Sequence, residues 1–449
     1  MTHVPRQWLL IAVPALLLLA ACSGGDEPDV APPAASTPAA VSPATETATA
    51  TPTAAVSTPT QQPRAAEYSD FDVDRAFEDT RVLTVDIGIR SAGTDEEREA
   101  ADYIAAQLRD AGYVVDIEAF DTTYRGDHSS IEVEGEGPAL QALALGGSEN
   151  GTASAPLVYA GLGAPEDFEG LDVRGAIALL DRGVIPFRDK ARNAQDAGAV
   201  AVVIVNHDRG LFGGTLGAQS GVTVPVLGVA GRAGEALRAL ADDGTTVTVT
   251  ADVGRQSVTS HNVVGRNGEC RAYLGAHYDS VPYGPGANDN ASGTALIIEL
   301  ARTNRVDGLC VIAFGAEEVG LLGSQAFVDA HDVSGALFML NFDMVARIGQ
   351  RTNDGPRFVP GNIALAERGA SVADRLGYGI PVGEFPLGAS SDHVVFEEAG
   401  VPAITVHSGG SEFIHTSRDT MDTVFREDLA IFLEVSTALL RELLAEQGG

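Results

Sequence analysis

Residues 271–318 have the sequence RAYLGAHYDSVPYGPGANDNASGTALIIELARTNRVDGLCVIAFGAEE, and the expected architecture follows from them. The apolar run Arg271–Ala276 predicts a strand, the residues from Ala291 to Thr303 predict a helix, and Leu309–Phe314 predicts a second strand. The chain that follows continues this alternation with a further helix and strand. Such alternation predicts an α/β domain with three layers, α/β/α, around a mainly parallel, mixed sheet.

Five short stretches carry side chains that bind metal ions; four follow apolar, strand-like runs and one opens a helix. They are Ala276–Asp279, Ala287–Asn290, Ala316–Glu318, Asn341–Asp343 and Ile414–Thr416. In a parallel sheet covered by helices, ligands bind beyond the carboxyl ends of the strands, so these side chains are expected to meet there. Two zinc ions need converging carboxylates and imidazoles plus one free carboxylate as a base. Together the stretches predict metal-assisted hydrolysis.

Each stretch taken alone also has a simpler structural explanation. His277 and Asp279 leave the same face of an extended segment, so the carboxylate can hold the ring nitrogen that does not bind metal. Asp289 lies in a loop of small residues that opens a helix, where Asp is also a common N-cap. The adjacent carboxylates of Glu317 and Glu318 repel each other unless cations neutralise them. One of the two can bind metal while the other acts as the general base.

The two remaining candidates are Asp343 and His415. Asp343 ends an apolar run, where an unpaired carboxylate is energetically unfavourable. His415 lies in a polar turn before the C-terminal helix. Both residues are therefore candidate metal ligands.

The five stretches resemble the zinc-dependent exopeptidases typified by bacterial leucyl aminopeptidase and aminopeptidase Y, which have relatives in glutamate carboxypeptidase and the transferrin receptor. The resemblance covers Arg90–Phe120 and the chain from Ser257 onward. It implies two zinc ions per chain and peptide substrates with a free N-terminus. The roles it implies are these: His277 and Asp343 bind one zinc, Glu318 and His415 bind the other, Asp289 bridges both, Glu317 is the general base and later acid, and Asp279 supports His277.

The same resemblance raises three further points. Many family members carry a tyrosine directly before the last histidine, where it helps to stabilise the oxyanion, but this chain has Ile414. Another donor, or the metal alone, must do that work here. The family often has a cis peptide after the bridging residue, which makes Asp289–Asn290 a candidate. The segment Ser391–His393 resembles one that lies near the substrate pocket, and we assign it no specific role.

A second resemblance, to a protease-associated domain, lies in the middle of the chain. It rests on Val173–Gly183, Phe187, Lys190 and Asn193–Ala199. We predict a β-rich protease-associated domain at residues 125–255, inserted into a zinc peptidase domain formed by residues 68–124 and 256–449. Such a domain either borders the active-site cleft or only stabilises and spaces the peptidase domain.

The N-terminal residues predict export. Arg6 precedes the apolar run Trp8–Leu19, which is too short to span a bilayer comfortably and is typical of a signal peptide. The ending Leu19–Cys22 resembles a bacterial lipobox, which implies cleavage before Cys22 and lipidation of its thiol; ordinary secretion with an unrelated cysteine is the alternative. Residues 1–22 are thus a predicted lipoprotein signal, and the Ala/Thr/Pro-rich residues 23–67 a disordered tether. The predicted location is extracytoplasmic, with a lipid anchor in the bacterial cell membrane.

Charge and cysteine content narrow the interpretation further. The 449 residues carry a formal net charge of −33, which argues against a nucleic-acid partner. Cys270 and Cys310 each lie seven residues before a candidate site residue, His277 and Glu317 respectively. In neighbouring parallel strands they would share a level at the end away from the site, where a disulfide is geometrically feasible and export permits it. Two buried free thiols are the alternative.

Several functions are compatible with this fold. The leading hypothesis is an exported di-zinc aminopeptidase. The alternatives are a glutaminyl-cyclase-like acyltransferase with a single zinc, a receptor that has lost its metals, and a carboxypeptidase of the same family. A carboxypeptidase needs a cation for the substrate carboxylate, which Arg347 could supply.

Overall fold

The computed structural model describes residues 70–133, 139–217, 219–349, 354–385 and 389–446. The predicted signal segment and tether, residues 1–67, lie outside this part of the chain. Within it, no helix combines the length and the apolar character needed to cross a membrane.

Helices and strands are interspersed along the described part of the chain. The helices are α1 (Val73–Arg81), α2 (Asp95–Asp110), α3 (Phe187–Asp196), α4 (Gly231–Asp242), α5 (Ser292–Thr303), α6 (Leu322–Ala330), α7 (Ile363–Leu376), α8 (His393–Glu398) and α9 (Arg426–Ala445). The strands are β1 (Val114–Asp127), β2 (Ser130–Val133), β3 (Leu140–Gln141), β4 (Leu143–Ala144), β5 (Gly151–Tyr159), β6 (Ile177–Asp181), β7 (Ala201–Val205), β8 (Val226–Val229), β9 (Thr246–Ala251), β10 (Val253–Arg266), β11 (Ala272–His277), β12 (Leu309–Phe314), β13 (Phe338–Phe342), β14 (Arg357–Pro360) and β15 (Ala403–His407).

The peptidase sheet has the strand order β1-β10-β12-β11-β13-β15-β14. Its four central strands, β12, β11, β13 and β15, run parallel, whereas β1, β10 and β14 pair antiparallel at the edges. Every residue of the four central strands is buried, as expected for a sheet that is covered on both faces. The predicted mixed, mainly parallel α/β sheet is therefore confirmed.

Helices cover this sheet on both faces. Leu274, Val311 and Leu340 point to the core shared with α1, α2, α5, α7 and α9. Their neighbours Tyr273 and Ile312 point to the opposite core, which α6 and α8 cover. Side chains of successive strand residues alternate between the faces, so apolar runs without alternation fill both cores at once.

A long antiparallel ribbon connects this sheet to a second one. β1 and β10 pair without interruption from Val114 opposite Arg266 to Asp127 opposite Val253. The residues between the two strands, 128–252, are called the insert below; they form an eight-stranded sheet of order β3-β2-β9-β5-β6-β7-β8-β4 with apolar cores on both faces. The predicted domain limits at residues 125 and 255 fall within the ribbon and remain predictions.

Cys270 and Cys310 form a disulfide in the structure, with their Cα atoms 5.5 Å apart. Cys310 lies opposite Tyr273 in the parallel pair β11–β12, close to the amino ends of both strands. The bond therefore lies at the end of the sheet away from the candidate site residues, and the alternative of two free thiols does not apply.

Glu97 is a buried carboxyl group at the start of α2. The residues Thr94–Glu97 predict a capping box, and the Glu97 amide does donate to Thr94 Oγ1 at 3.2 Å. The Glu97 side chain, however, accepts from the Gly93 amide at 2.6 Å and from the Ser260 hydroxyl, instead of from the Thr94 amide. The side chain is fully buried, and desolvation raises its pKa to about 8.

We expect Glu97→Gln to change how stability depends on pH. An acid whose pKa is raised by folding stabilises the fold below its unfolded pKa and loses this contribution as the pH rises through its folded pKa. A difference of one between the folded and unfolded pKa corresponds to about 1.4 kcal/mol, and glutamine keeps both hydrogen bonds without a charge. In thermal unfolding between pH 5 and pH 8.5, the stability of the variant relative to the parent should therefore increase as the pH rises. Parallel curves for the two proteins would contradict this.

Candidate metal centre

The strand ends bring the predicted site residues into one crevice. His277 is the last residue of β11, Glu317 and Glu318 follow β12, and Asp343 follows β13 directly. Asp289 lies in an irregular turn, Ala287–Ala291, that leads into α5. With His415, these residues line a cavity of about 460 Å³.

His415 reaches the crevice differently from the others. The sequence predicts a polar turn for His415, and the residue lies eight positions beyond the end of β15, after a short 3-10 turn at Ser411–Phe413. Its backbone is left-handed, with φ +53°. Ala316 and Met344, next to Glu317 and Asp343, also have positive φ, at +56° and +58°. Such backbone costs about 1–2 kcal/mol for a residue with a side chain and concentrates at functional sites.

One group of potential ligands consists of His277, Asp289 and Asp343. His277 Nε2 lies 3.3 Å from Asp289 Oδ1 and 3.7 Å from Asp343 Oδ1. The three donor atoms lie within 4.8 Å of one another, and all three residues are buried. This spacing allows one ion to be held between them.

The second group consists of Asp289, Glu318 and His415. His415 Nε2 lies 3.3 Å from Asp289 Oδ2 and 3.0 Å from Glu318 Oε2. The donor atoms again lie within 4.8 Å of one another. Asp289 thus directs one oxygen to each group, which is the geometry that a bridging carboxylate needs.

Glu317 belongs to neither group, although it lies in the same cavity. Its Oε2 is 3.9 Å from His277 Nε2. Within the described residues, the carboxylate of Glu317 accepts no hydrogen bond. Its oxygens are also not among the fully buried atoms that lack a partner, so they are open to the cavity. A carboxylate placed this way is free to exchange a proton with a bound molecule.

Asp279 connects His277 to the two glutamates. Its carboxylate accepts from the Glu317 amide at 3.1 Å and from the Glu318 amide at 3.2 Å. Asp279 Oδ1 also lies 3.5 Å from His277 Nδ1, longer than a good hydrogen bond. Asp279 therefore fixes the backbone that presents both glutamates and lies beside the imidazole.

The cluster holds more carboxylates than cationic groups, and this imbalance shifts its proton affinities. Burial opposes protonation of His277, but the surrounding carboxylates, Glu317 foremost, outweigh burial and raise the pKa well above its usual value. Hydrogen bonds to Asp289 and Glu318 raise the pKa of His415 to about 11. Desolvation, with the nearby Asp289 charge, raises the pKa of Glu318 to about 7. The site thus favours added positive charge.

The donor set fits two divalent metal ions. Imidazole nitrogens with carboxylate oxygens are ligands that zinc accepts, and each group has one imidazole. Glu318 Oε1 is buried without a hydrogen-bond partner in the described part of the chain, so one acceptor in the second group awaits a cation.

The loop that carries Asp289 is tied to the end of β13 by side chains that sequence reasoning missed. Asn290 Oδ1 accepts from the Met344 amide at 3.1 Å, and Asn290 Nδ2 donates to Phe342 O at 2.8 Å. Asn288 Oδ1 accepts from the Ala346 amide at 3.0 Å. The peptide bond Asp289–Asn290 is cis, as the resemblance implied. These contacts fix Asp289 relative to Asp343.

Asp419 supports the same loop from the C-terminal side. Its two carboxylate oxygens accept from the amides of Asn288 and Asp289, each at 2.9 Å. The Thr423 hydroxyl donates to Oδ1 at 2.9 Å. The only sequence signal for this role was the position of Asp419 in the polar turn that follows His415.

Arg90 is a fully buried cation beneath the site. Its guanidinium donates to the carbonyls of five residues, at 2.7–3.2 Å: Leu83, Gly88, Tyr278, Pro285 and Gly286. Desolvation lowers its pKa to about 10, against the attraction of the carboxylates of the site, so it stays charged at neutral pH. Arg90 therefore joins three segments of backbone and offsets negative charge from below.

Arg347 and His393, which were considered from the sequence, make contacts outside the two ligand groups. Arg347 pairs with Glu412 and stacks on Phe413 and Phe425, and it is outside the set of described residues that line the metal cavity. His393 is buried, and its Nδ1 lies 2.8 Å from Thr405 Oγ1 of β15. Neither contact gives a direct role in the crevice.

Comparison with known proteins identifies the family. The model of peptidase family M28 matches residues 261–440, and the model of the PA domain matches residues 153–237. Aminopeptidase YwaD of Bacillus subtilis is 32% identical over 405 residues, which cover 84% of this chain and 86% of that protein. The chain belongs to peptidase family M28.

Other M28 proteins are similar over much of their length. The probable lipoprotein aminopeptidase LpqL of Mycobacterium tuberculosis is 34% identical over 358 residues, 72% of this chain and 70% of that protein. The solved structure of BSAP, a zinc aminopeptidase from Bacillus subtilis, has a TM-score of 0.59 at 30% identity and covers 83% of this chain and 95% of its own. These matches confirm the predicted family, the inserted PA domain and the enzyme class, a metallo-aminopeptidase.

We expect Arg90→Lys to weaken both the fold and the M28 metal centre. An ammonium group has three donors and cannot satisfy five carbonyls, and each buried polar group left unpaired costs about 1–3 kcal/mol. The variant should unfold at a lower temperature and bind zinc more weakly in a titration. The matched control is Arg98→Lys, an exposed arginine whose partner is Asp102 at 3.1 Å. Equal behaviour of the two variants would rule out this role for Arg90.

Proposed function

We propose that this chain is an exported di-zinc aminopeptidase that removes the N-terminal residue from peptides. The observation that carries the proposal is that Asp289 turns one carboxylate oxygen to each histidine. Oδ1 lies 3.3 Å from His277 Nε2, and Oδ2 lies 3.3 Å from His415 Nε2. A shared carboxylate between two imidazole-containing groups supports a site that would hold two ions.

The proposed ligands follow the two groups. His277 and Asp343 would hold one zinc, Glu318 and His415 would hold the other, and Asp289 would be shared between them. When bound, the ions lower the pKa of a shared water and polarise the scissile carbonyl. The chain's own residues supply the remaining steps.

Glu317 is the proposed general base. Its Oε2 faces the cavity and takes the proton of the attacking water, and it then returns this proton to the nitrogen of the leaving amine. Asp279 holds the backbone of Glu317 in place and lies beside the imidazole of His277. Burial, reinforced by neighbouring carboxylates, raises the pKa of Glu317 well above its usual value.

Stabilisation of the oxyanion would fall to the metal ions, because the cavity lacks the tyrosine that many relatives have at position 414. Ile414 lines the cavity where many relatives have a tyrosine, and it offers no donor. His407 also lines the cavity, but its Nδ1 donates to the Asp343 carbonyl at 2.7 Å, so the neutral ring presents an acceptor at Nε2. Burial lowers the pKa of His407, which keeps the ring neutral at neutral pH.

The charge of the cavity favours aminopeptidase over carboxypeptidase action. Two bound zinc ions would neutralise the ligand carboxylates, so the acids of the lining that would attract the ammonium group of a free N-terminus are Glu317 and Asp354. Arg347, the cation considered for a substrate carboxylate, is paired with Glu412. The cavity cation Arg357 donates to the carbonyls of Gly355 and Glu384.

The remaining alternatives fit less well. A single-zinc acyltransferase can dispense with His277 and Asp343, yet this chain has both residues beside Asp289. A receptor without catalysis needs neither the ligands nor Glu317. Export with a lipid anchor at Cys22 is supported by the name of the relative LpqL, a probable lipoprotein, and by the disulfide, which persists in oxidising compartments.

Metal content and substrate choice test the proposal together. We expect about two zinc ions per chain by elemental analysis and hydrolysis of amino-acid anilides only when the α-amine is free. Chelation should abolish the activity, and added zinc should restore it. One zinc per chain, or turnover of N-blocked anilides, would sink the aminopeptidase assignment.

Glu317→Gln tests the general base. The variant should keep both zinc ions and lose about 10²–10⁴-fold in kcat, the usual contribution of general base catalysis. Glu398→Gln, which alters an exposed glutamate at the end of α8, is the matched control and should behave like the parent. Unchanged turnover in Glu317→Gln would remove Glu317 as the base.

A further inference from the structure

A second cleft adjoins the metal cavity on the side of the insert. It has a volume of about 200 Å³ and lies between residues 206–213 of the insert and residues 412–418, called the insert loop and the His415 loop below. His415 lines both this cleft and the metal cavity. The cleft and the metal cavity therefore meet at His415.

The two loops are in direct contact, which fixes the width of the cleft. A Cβ atom added to Gly210 would lie 2.1 Å from Ser417 Cβ, closer than two carbon atoms can approach. A Cβ atom added to Gly213 would lie 3.4 Å from the hydroxyl of Tyr283, in ordinary contact. Of the two roles considered for the inserted domain, bordering the active site is the one that this contact supports.

Two arginines face the cleft from opposite walls. Arg182 comes from the insert and Arg418 from the His415 loop. Arg182 lies 4.7 Å from the ring centroid of Phe212, and Arg418 lies 4.3 Å from that of Phe413. Stacking on an aromatic face holds a guanidinium in place and leaves its N–H edge available for hydrogen bonds.

The charges of these arginines are not neutralised within the cleft. Among the described residues, neither Arg182 nor Arg418 forms an ion pair with an acid, and the side-chain partner of Arg182 is the neutral Asn206 at 2.9 Å. Of the two acids in the lining, Glu412 pairs with Arg347, which lies outside the lining, and Asp208 lies 3.4 Å from His207 of the same cleft. In a chain with a net charge of −33, two unpaired arginines beside the metal centre indicate a site for an anion.

We propose that this cleft binds the C-terminal carboxylate of short peptides, with Arg182 and Arg418 as its ligands. The inference rests on the proposed aminopeptidase function, which places the N-terminal residue in the metal cavity and the leaving portion past His415. Guanidinium groups match a carboxylate in shape and charge. An extended residue advances the chain by about 3.4 Å, so only a terminus a few residues from the scissile bond falls within so small a cleft.

The test compares peptides of two, three and four residues, each with a free or an amidated C-terminus, with an amino-acid anilide as the reference. At one of these lengths the parent should prefer the free acid about tenfold in kcat/KM, the size of one charge-assisted hydrogen bond. Arg418→Gln should lose this preference through a higher KM, and the anilide rate should stay unchanged. Arg182→Gln, which can keep the hydrogen bond to Asn206, should act in the same way.

The control is Arg232→Gln, which removes one positive charge from an exposed position of the insert outside the cleft. It should keep the preference of the parent. Thermal unfolding of each variant separates loss of binding from loss of the insert fold. If Arg182→Gln is unstable, the result for Arg418→Gln decides, because Arg418 is exposed.

Each other outcome is decisive. Equal rates for free and amidated peptides at all three lengths, or a preference that survives in Arg418→Gln, overturn the carboxylate site and leave the aminopeptidase function intact. If Arg418→Gln slows the hydrolysis of amidated peptides only when their second residue is acidic, the cleft binds a side-chain carboxylate. This outcome also overturns the proposal. If the parent does not hydrolyse the anilide, the proposed function fails and this inference fails with it.

Discussion

Repulsion among buried carboxylates governs how this molecule is built. Asp279, Asp289 and Asp343 are each at most 7% exposed, and Glu317 and Glu318 lie beside them. Placing so many acids in one crevice is costly unless cations and donors surround them. The fold supplies part of this compensation through backbone amides aimed at Asp279 and Asp419 and through the buried charge of Arg90. The remaining excess of negative charge is what metal ions would neutralise.

The chemistry of the crevice could be predicted because it resides at the ends of strands. Fully apolar runs predict strands that are buried on both faces. The carboxyl ends of such parallel strands meet at one edge of the sheet. His277, Glu317 and Asp343 follow such runs directly, so their convergence was visible in the sequence. Which strands of the mixed sheet pair antiparallel was not visible in the sequence, because an apolar run does not reveal the direction in which its neighbour pairs.

The support of the crevice could not be predicted, because it is made by contacts between distant segments. Arg90 reaches carbonyls that lie 188–196 residues away as well as nearby ones, and Asp419 binds amides 130 and 131 residues before it. A side chain that binds backbone groups has no characteristic spacing with the residues it holds. His415 shows the same limitation, since its loop is positioned by packing and not by a strand.

The insert therefore has a mechanical link to the metal centre. It is carried by the β1–β10 ribbon, which pairs without interruption between the peptidase sheet and the insert. At the far side, Gly210 of the insert packs against Ser417, two residues from His415. His415 has left-handed backbone and follows no strand directly, and its imidazole lies 3.3 Å from Asp289. A domain that contributes no residue to the described lining of the metal cavity can thus influence the geometry of one of its two ligand groups.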